Sequence, residues 1–252
     1  MRPPFAVRCN FSDESVALVQ HLSDLFICEA DRANIFIVYT DTGWASPVWS
    51  KRVEHCLKWA EKLGFSTLVL KADIQFADAV ISRGQFPTVK NQWCASMLKG
   101  MPFLNWLNKF DPFNEMTILI PKRQLRQASP LSEWIDECPF HGDRTVWHPL
   151  VAHTNEKIER LISKTPFSLQ RYPISQECYP CVRHLKLIAQ EMDSSTRLKV
   201  NALETQVNKT YFGNISLDKG VLYQLSYLSP LHLQSITYAE ESGCSAPFGC
   251  GL

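Results

Sequence analysis

Phe5-Ala-Val-Arg-Cys-Asn-Phe-Ser-Asp-Glu-Ser-Val-Ala-Leu-Val-Gln-His-Leu22, followed by Ile35-Phe-Ile-Val-Tyr-Thr-Asp-Thr-Gly-Trp44, is the stretch that decides the fold. Its first piece reads as a short apolar strand, a polar turn and then a helix. Ser12 is placed to cap that helix, and Asp13 and Glu14 suit the positive end of its dipole. Ala17, Leu18 and Leu22, with Val16 and Val19 beside them, form an apolar helical face. The second piece is an unbroken apolar run ending in Asp41-Thr42-Gly43, the pattern of a buried parallel strand opening into a loop. Strand, helix and strand in so few residues make a βαβ unit, and its ligand site is expected beyond the carboxyl ends of the strands.

Working outward, Pro47 opens a helix that ends at Gly64, with Trp49, Val53, Leu57, Ala60 and Leu63 on one face. Ser66–Leu70 reads as a third strand and 74–85 as helix and loop. Glu115–Ile120 is a further strand, running into the basic segment Pro121-Lys122-Arg123-Gln-Leu-Arg126. Thr145-Val-Trp-His-Pro-Leu150 and Asn155–Ser163 follow. Leu185–Val207 is helical with mixed charge, and Tyr211–Tyr238 carries hairpin-like signals. No internal repeat or linker splits the first 165 residues. The expected organisation is therefore an α/β domain over 1–165 with a Cys-containing extension over 166–252.

Composition narrows the class without naming an activity. The 45% hydrophobic content describes a core-forming protein, and the net charge of +1 neither predicts nor excludes nucleic acid. No apolar run reaches the length of a membrane span, and Met1-Arg-Pro-Pro-Phe5 lacks a secretory apolar core, so a cytoplasmic protein is expected. Nine cysteines are many for a reducing compartment. Cys9, Cys28 and Cys56 lie in apolar or helical patterns and are read as packing residues. Cys94, Cys178, Cys181, Cys244 and Cys250 sit in polar or turn-rich contexts, where metal or catalytic use is the better prior.

Several of these segments, in this order, resemble the phosphoadenosine phosphosulfate (PAPS) reductases and related adenine nucleotide alpha-hydrolases. Asp41-Thr42-Gly43 matches that family's second motif. Asn10-Phe-Ser-Asp-Glu-Ser15 aligns with its Ser-Gly-Gly-Lys-Asp-Ser loop, but both glycines are gone and Asp13 stands where the family has Lys. Cys94-Ala-Ser-Met-Leu-Lys99-Gly-Met-Pro102 is similar to the family's Cys-x-x-x-x-Lys-x-x-Pro stretch. Lys122, Arg123 and Arg126 fall on its anion-binding segment, and Pro166…Tyr172 with Cys178-Tyr-Pro-Cys181 on its Pro…Tyr…Cys-x-x-Cys run. The resemblance spans roughly residues 5–185.

The resemblance implies a parallel, Rossmann-like sheet flanked by helices and an adenine nucleotide site for ATP or PAPS. That site would be lined by Ser12, Ser15, Asp41, Thr42 and Gly43, with Lys122, Arg123 and Arg126 at its anionic end. A Cys-x-x-Cys turn puts two thiolates on one metal. Cys178 and Cys181 with Cys94 would hold a [4Fe–4S] cluster or, alternatively, zinc, with Cys250, Cys244 or Cys138 as the fourth ligand. Cys250, in Gly249-Cys-Gly-Leu252, also resembles the catalytic Cys-Gly-Leu tail of cluster-free members. It cannot be static ligand and nucleophile at once. The implied activity is sulfonucleotide reduction or sulfur transfer, with nucleic acid among the acceptors. The alternative is a degenerate relative that binds a nucleotide, nucleic acid or protein around a structural metal. The histidines show no ligand spacing and are read as structural or surface residues.

Overall fold

The computed structural model of the chain describes residues 4–124, 130–184 and 192–211. Its strands are β1 (Phe5–Arg8), β2 (Ile35–Asp41), β3 (Ser66–Lys71), β4 (Thr117–Leu119), β5 (Trp134–Cys138) and β6 (Arg144–Trp147). They form one sheet in the order β3-β2-β1-β4-β6-β5. Every neighbouring pair is parallel except β5 with β6. The fold is α/β with a mostly parallel sheet, as the sequence predicts. The order runs outward from β1 to β3 on one side and from β4 to β6 on the other. A switch point therefore lies between β1 and β4, and the loops at the carboxyl ends of those strands diverge there.

Period-two alternation places the two sheet faces. Val7, Ile35, Ile37 and Tyr39 pack with α1 (Asp13–Leu25), α3 (Pro47–Lys62) and α7 (Asn155–Ser163). Ala6, Val38, Ile118 and Val146 point the other way, onto Phe103 and Leu107 of α6 (Met101–Phe110). A third apolar cluster lies beside the sheet. It joins α4 (Phe76–Arg83), the Trp93–Gly100 segment, Cys178 and α8 (Ser194–Val207). The short helix α2 is Glu29–Ala33 and α5 is the single turn Trp93–Ala95.

The local signals explain most boundaries. Ser12 has the extended backbone of an N-cap, Pro47 opens α3, and Gly64 follows α3 at φ 91°. Thr154 caps α7, its hydroxyl accepting from Lys157 N–H at 3.4 Å. Two expectations change. Cys28 is exposed rather than packed, because it precedes the solvent-facing turn α2 instead of belonging to the α1 face. The antiparallel edge strand β5 has no counterpart in the sequence reading. Four of its five residues are exposed, so burial imprints no pattern on them. No helix among the described residues is long and apolar enough to cross a membrane.

Candidate functional site

The α1 entry loop is closed upon itself. The Asn10 carboxamide oxygen accepts from Ser12 N–H at 3.0 Å and from the Ser15 hydroxyl at 2.7 Å. Phe11 takes φ 60°, the left-handed backbone that glycine adopts without strain. Its ring is fully buried and stacks on Tyr39 at 5.9 Å. Hydrophobic burial thus holds a conformation that the residue type disfavours. Ser12 Oγ is buried with no hydrogen-bond partner.

The first turn of α1 is neutralised by the protein's own cations. Asp13 meets Arg171 at 2.9 Å and Arg52 at 3.6 Å, and Arg171 also grips Glu159. Asp13 N–H donates to the Tyr172 carbonyl at 2.9 Å, and Tyr172 N–H donates back to the Asp13 carboxylate at 2.7 Å. Glu14 pairs with Arg123 at 2.6 Å. Burial pushes the Glu14 carboxyl pKa up, and the Arg123 charge opposes that shift. Arg123 also reaches Asn155 at 2.8 Å.

The Asp-Thr-Gly turn works as a clamp. Asp41 accepts from Gly43 N–H at 2.9 Å, and the Thr42 hydroxyl donates to the Glu177 carbonyl at 2.6 Å. Gly43 has φ 68°, and a Cβ there would fall 2.5 Å from Gln75 Oε1, so the turn requires glycine. Trp44 bridges Cys178 in parallel register, with Tyr179 N–H donating to the Trp44 carbonyl at 2.7 Å. The segment that carries the Cys-x-x-Cys turn is therefore fastened to the end of β2.

Open space remains at the switch point. A crevice of about 60 Å³ is lined there by Arg8, Cys9 and Asn10 from the end of β1 and by Val38 and Thr40 of β2. Pro121 and Lys122 follow from the end of β4, with Lys99, Phe103 and Glu177 closing it. Three cationic side chains face it against one carboxylate. That charge balance favours an anion. Arg8 lies over the Phe103 ring at 5.4 Å, an arrangement that steadies the guanidinium.

Lys99 and Glu177 form an ion pair in which both side chains are less than a tenth exposed. The Ser96–Gly100 stretch is a single π-helical turn between α5 and α6, a feature frequent at functional sites. It sets Lys99 at the rear of the crevice.

Cys178 and Cys94 are buried in one apolar cluster, and Cys181 is half-buried. The Cys178 thiol pKa is pushed up by its contact with Cys181, by burial and by the charges of Cys181 and Cys94, while Lys99 opposes the shift. On the far side, Lys199 of α8 stands 3.7 Å from the centroid of the Trp44 ring. Burial lowers its ammonium pKa and the nearby Cys178 raises it. Both lysine charges thus act on the Cys178 thiol.

Of the residues singled out in the sequence, the structure brings Lys122 into the crevice. It gathers Cys178 and Cys181, with Cys94 in the same cluster. Ser12 and Ser15 lie in the closed entry loop, Asp41, Thr42 and Gly43 in the clamp, and Arg123 against Glu14. Arg126, Cys244 and Cys250 lie outside the described residues. Cys138 belongs to a different cluster and faces His141, Sγ to Nδ1, at 3.5 Å. Among the described residues no three His, Cys, Asp or Glu side chains group at metal-holding distance. Arg8 and Glu177 were missed; Arg8 was legible as a cation at the carboxyl end of a strand.

Cys178 touches Cys181 and shares a cluster with Cys94, but the described residues do not by themselves complete a metal-ligand set. Two buried indole N–H groups in that cluster, Trp44 Nε1 and Trp93 Nε1, have no hydrogen-bond partner. An apolar pocket does not orphan two donors without cost, about 1–3 kcal/mol each.

No protein-family model matches the chain. No curated protein matches it. Among solved structures it is similar to a PAPS reductase from Candida auris in complex with phosphate, at 12% identity, TM-score 0.45, over 65% of this chain and 73% of that one. It is also similar to an NH3-dependent NAD synthetase from Campylobacter jejuni in complex with nitrate, at 14% identity, TM-score 0.40, over 96% of this chain and 85% of that one.

Proposed function

We propose that the chain handles a sulfur-bearing or phosphorylated anion, of the adenine nucleotide or sulfonucleotide class, whose anionic group enters the small crevice at the β1/β4 switch point while the rest of the molecule lies outside it. The chemistry is sulfonucleotide reduction or sulfur transfer, with Cys94, Cys178 and Cys181 holding a [4Fe–4S] cluster or zinc beside the anion. One observation carries this reading. Lys99 lines the cationic crevice, pairs with Glu177 and lies within electrostatic reach of the Cys178 thiol, so charge in the crevice and charge at sulfur are coupled through one side chain. The fourth ligand is assigned to Cys250 or Cys244. A bound cluster supplies electrons or polarises sulfur; this chain's own residues bind the anion, hold the thiols and exclude water. Residues 166–252 then form an extension on the 1–165 domain, its start fastened by Gln176, Glu177 and Cys178 to the Asp41–Ser46 turn. A reducing cytoplasm, where thiol ligands persist, is the compartment that suits this chemistry.

A second reading, binding of a nucleotide, nucleic acid or protein without turnover, is favoured by a separate observation. At the α1 entry turn Asp13 N–H already donates to the Tyr172 carbonyl and Ser12 N–H to the Asn10 side chain, so the protein itself takes two of the donors an anion would use. The experiment is anaerobic purification with iron, sulfide and zinc analysis and a visible spectrum, followed by titration with PAPS, ATP and inorganic sulfate. Broad absorption near ~400 nm that Cys178→Ala abolishes, together with saturable PAPS binding, is expected. One zinc per chain with nucleotide binding and no reduction of PAPS selects the second reading. A metal-free protein that binds none of the three anions overturns both.

A further inference from the structure

We infer that Glu177 makes the switch-point crevice selective for a phosphate group that carries a proton, and that sulfate is turned away there. This rests on the anion reading above but not on a metal, and it deepens that reading by naming which end of a sulfonucleotide enters. The crevice has a volume of about 60 Å³. One water needs roughly 10–15 Å³ of such space, so there is room for the five heavy atoms of one tetrahedral oxyanion and not for a nucleoside. Arg8, Lys99 and Lys122 line it against the one carboxylate of Glu177. Three cations against one anion leave two positive charges in excess among the described lining residues. That balance suits a dianion, and hydrogen phosphate and sulfate are both tetrahedral dianions. Charge and size therefore do not separate them.

The Glu177 carboxylate does. The residue is 4% exposed, and its backbone carbonyl accepts from the Thr42 hydroxyl at 2.6 Å. Lys99 Nζ and the Ser175 hydroxyl both donate to its Oε1, the hydroxyl at 3.4 Å. Its Oε2 is the oxygen left to meet a ligand. An ionised carboxylate can only accept. A ligand oxygen that bears hydrogen gives it a charge-assisted hydrogen bond, whereas a bare one sets two anionic acceptors face to face with no proton between them. Such a repulsive element is how a site rejects a competitor of equal charge and shape. Inorganic phosphate keeps at least one proton at neutral pH. A phosphate monoester, with its second pKa near ~6, regains one at small cost. Sulfate is a far stronger acid and keeps none. The Cys9 thiol and the Tyr39 phenol also lie within electrostatic reach of Glu177, but burial pushes both pKa values up, so they stay neutral and leave the charge balance unchanged.

The test titrates the full chain calorimetrically at about pH 7.5 and constant ionic strength with four probe anions. Phosphate and arsenate keep a proton; sulfate and monofluorophosphate are tetrahedral dianions without one. Phosphate and arsenate are expected to bind at least about tenfold more tightly than the other two. Glu177→Gln offers an amide donor where the acceptor stood, and in that variant the preference is expected to vanish as sulfate affinity rises. Equal affinities in the wild type, or a preference that survives in Glu177→Gln, would overturn the assignment and leave the anion reading standing. Binding of PAPS or ATP that excess phosphate does not displace has the same consequence. A chain that binds none of the four anions and neither nucleotide overturns the anion reading and the assignment together. Where Glu177→Gln does not fold, phosphate against monofluorophosphate on the wild type decides, because the two differ only by hydroxyl and fluorine on one phosphorus. Equal affinities for that pair count against the assignment.

Discussion

Asp13 and Tyr172 exchange two hydrogen bonds, N–H to carbonyl at 2.9 Å in one direction and N–H to carboxylate at 2.7 Å in the other. The pair joins the first turn of α1 to a segment almost 160 residues away in sequence, and it occupies the helix end that carries partial positive charge. Arg52 and Arg171 complete the knot, with Arg52 only 3% exposed. Deleting one member of a buried ionic group strands the others. Asp13→Ala is expected to destabilise the fold by about 3 kcal/mol, the low end of the usual range because Arg171 is partly solvated. Urea unfolding measures it. A loss under about 1 kcal/mol would show the knot to be solvent-screened.

Phe11 inverts the usual ranking of glycine and alanine. Truncating a buried Phe costs about 3–5 kcal/mol in either case. At φ 60° alanine keeps the left-handed strain, about 1–2 kcal/mol, and glycine relieves it. Glycine's greater freedom in the unfolded chain offsets part of that gain. Phe11→Gly is therefore expected to be the more stable variant, by about 1 kcal/mol. Equal urea midpoints, or a less stable glycine variant, would remove backbone strain from the account of this loop.

These two residues also show where a sequence stops being readable. The βαβ start and the α3 face were legible because each rests on residues within a few positions of one another. The parallel character of the sheet was legible in the unbroken apolar run of β2, but the strand order is a tertiary fact that no local pattern records. Asp13 was legible as a carboxylate at a helix start, but its partners Arg52 and Arg171 lie at distances in sequence that no spacing rule connects. Phe11 reads as an ordinary core residue, and its positive φ comes from the packing of its ring against Tyr39. The Asp41-Thr42-Gly43 turn was found correctly as a turn. That it clamps Glu177 is a tertiary fact. Lys99 was visible only within its Cys-x-x-x-x-Lys stretch, since the π-helical turn that aims it leaves no mark in apolar periodicity.

Stability should fall in mild acid through His141. Burial, then the charges of Arg8, His148, Lys122 and Arg144, hold its imidazole pKa down from 6.5 to about 3. Between those values the unfolded chain carries a proton that the folded chain refuses, so this group costs stability as pH drops below about 6.5. The slope is about 1.4 kcal/mol per pH unit for one proton, and it ends near the folded value. His141→Gln, which cannot titrate, is expected to flatten the dependence between pH 6 and pH 4 by roughly that amount. Urea midpoints across that window measure it. An unchanged slope would mean that His141 takes up its proton in the folded state.

Lys122 and Arg123 are neighbours in sequence with opposite assignments, and that contrast separates ligand binding from folding. Lys122 lines the crevice. Arg123 is 2.6 Å from the Glu14 carboxylate, and both side chains are at most a tenth exposed. Lys122→Ala is expected to weaken PAPS or sulfate binding about tenfold or more, with stability changed by less than about 0.5 kcal/mol. Arg123→Ala strands Glu14 and is expected to cost about 3 kcal/mol of stability. Glu14→Gln on that background should restore most of the loss, because the neutral amide no longer needs a cation. Calorimetric titration of each folded variant, beside its urea midpoint, gives both coordinates. If Arg123→Ala loses binding at full stability, the anion reaches the α1 entry turn rather than the switch-point crevice. The Asp13–Tyr172 exchange would then have to open for it.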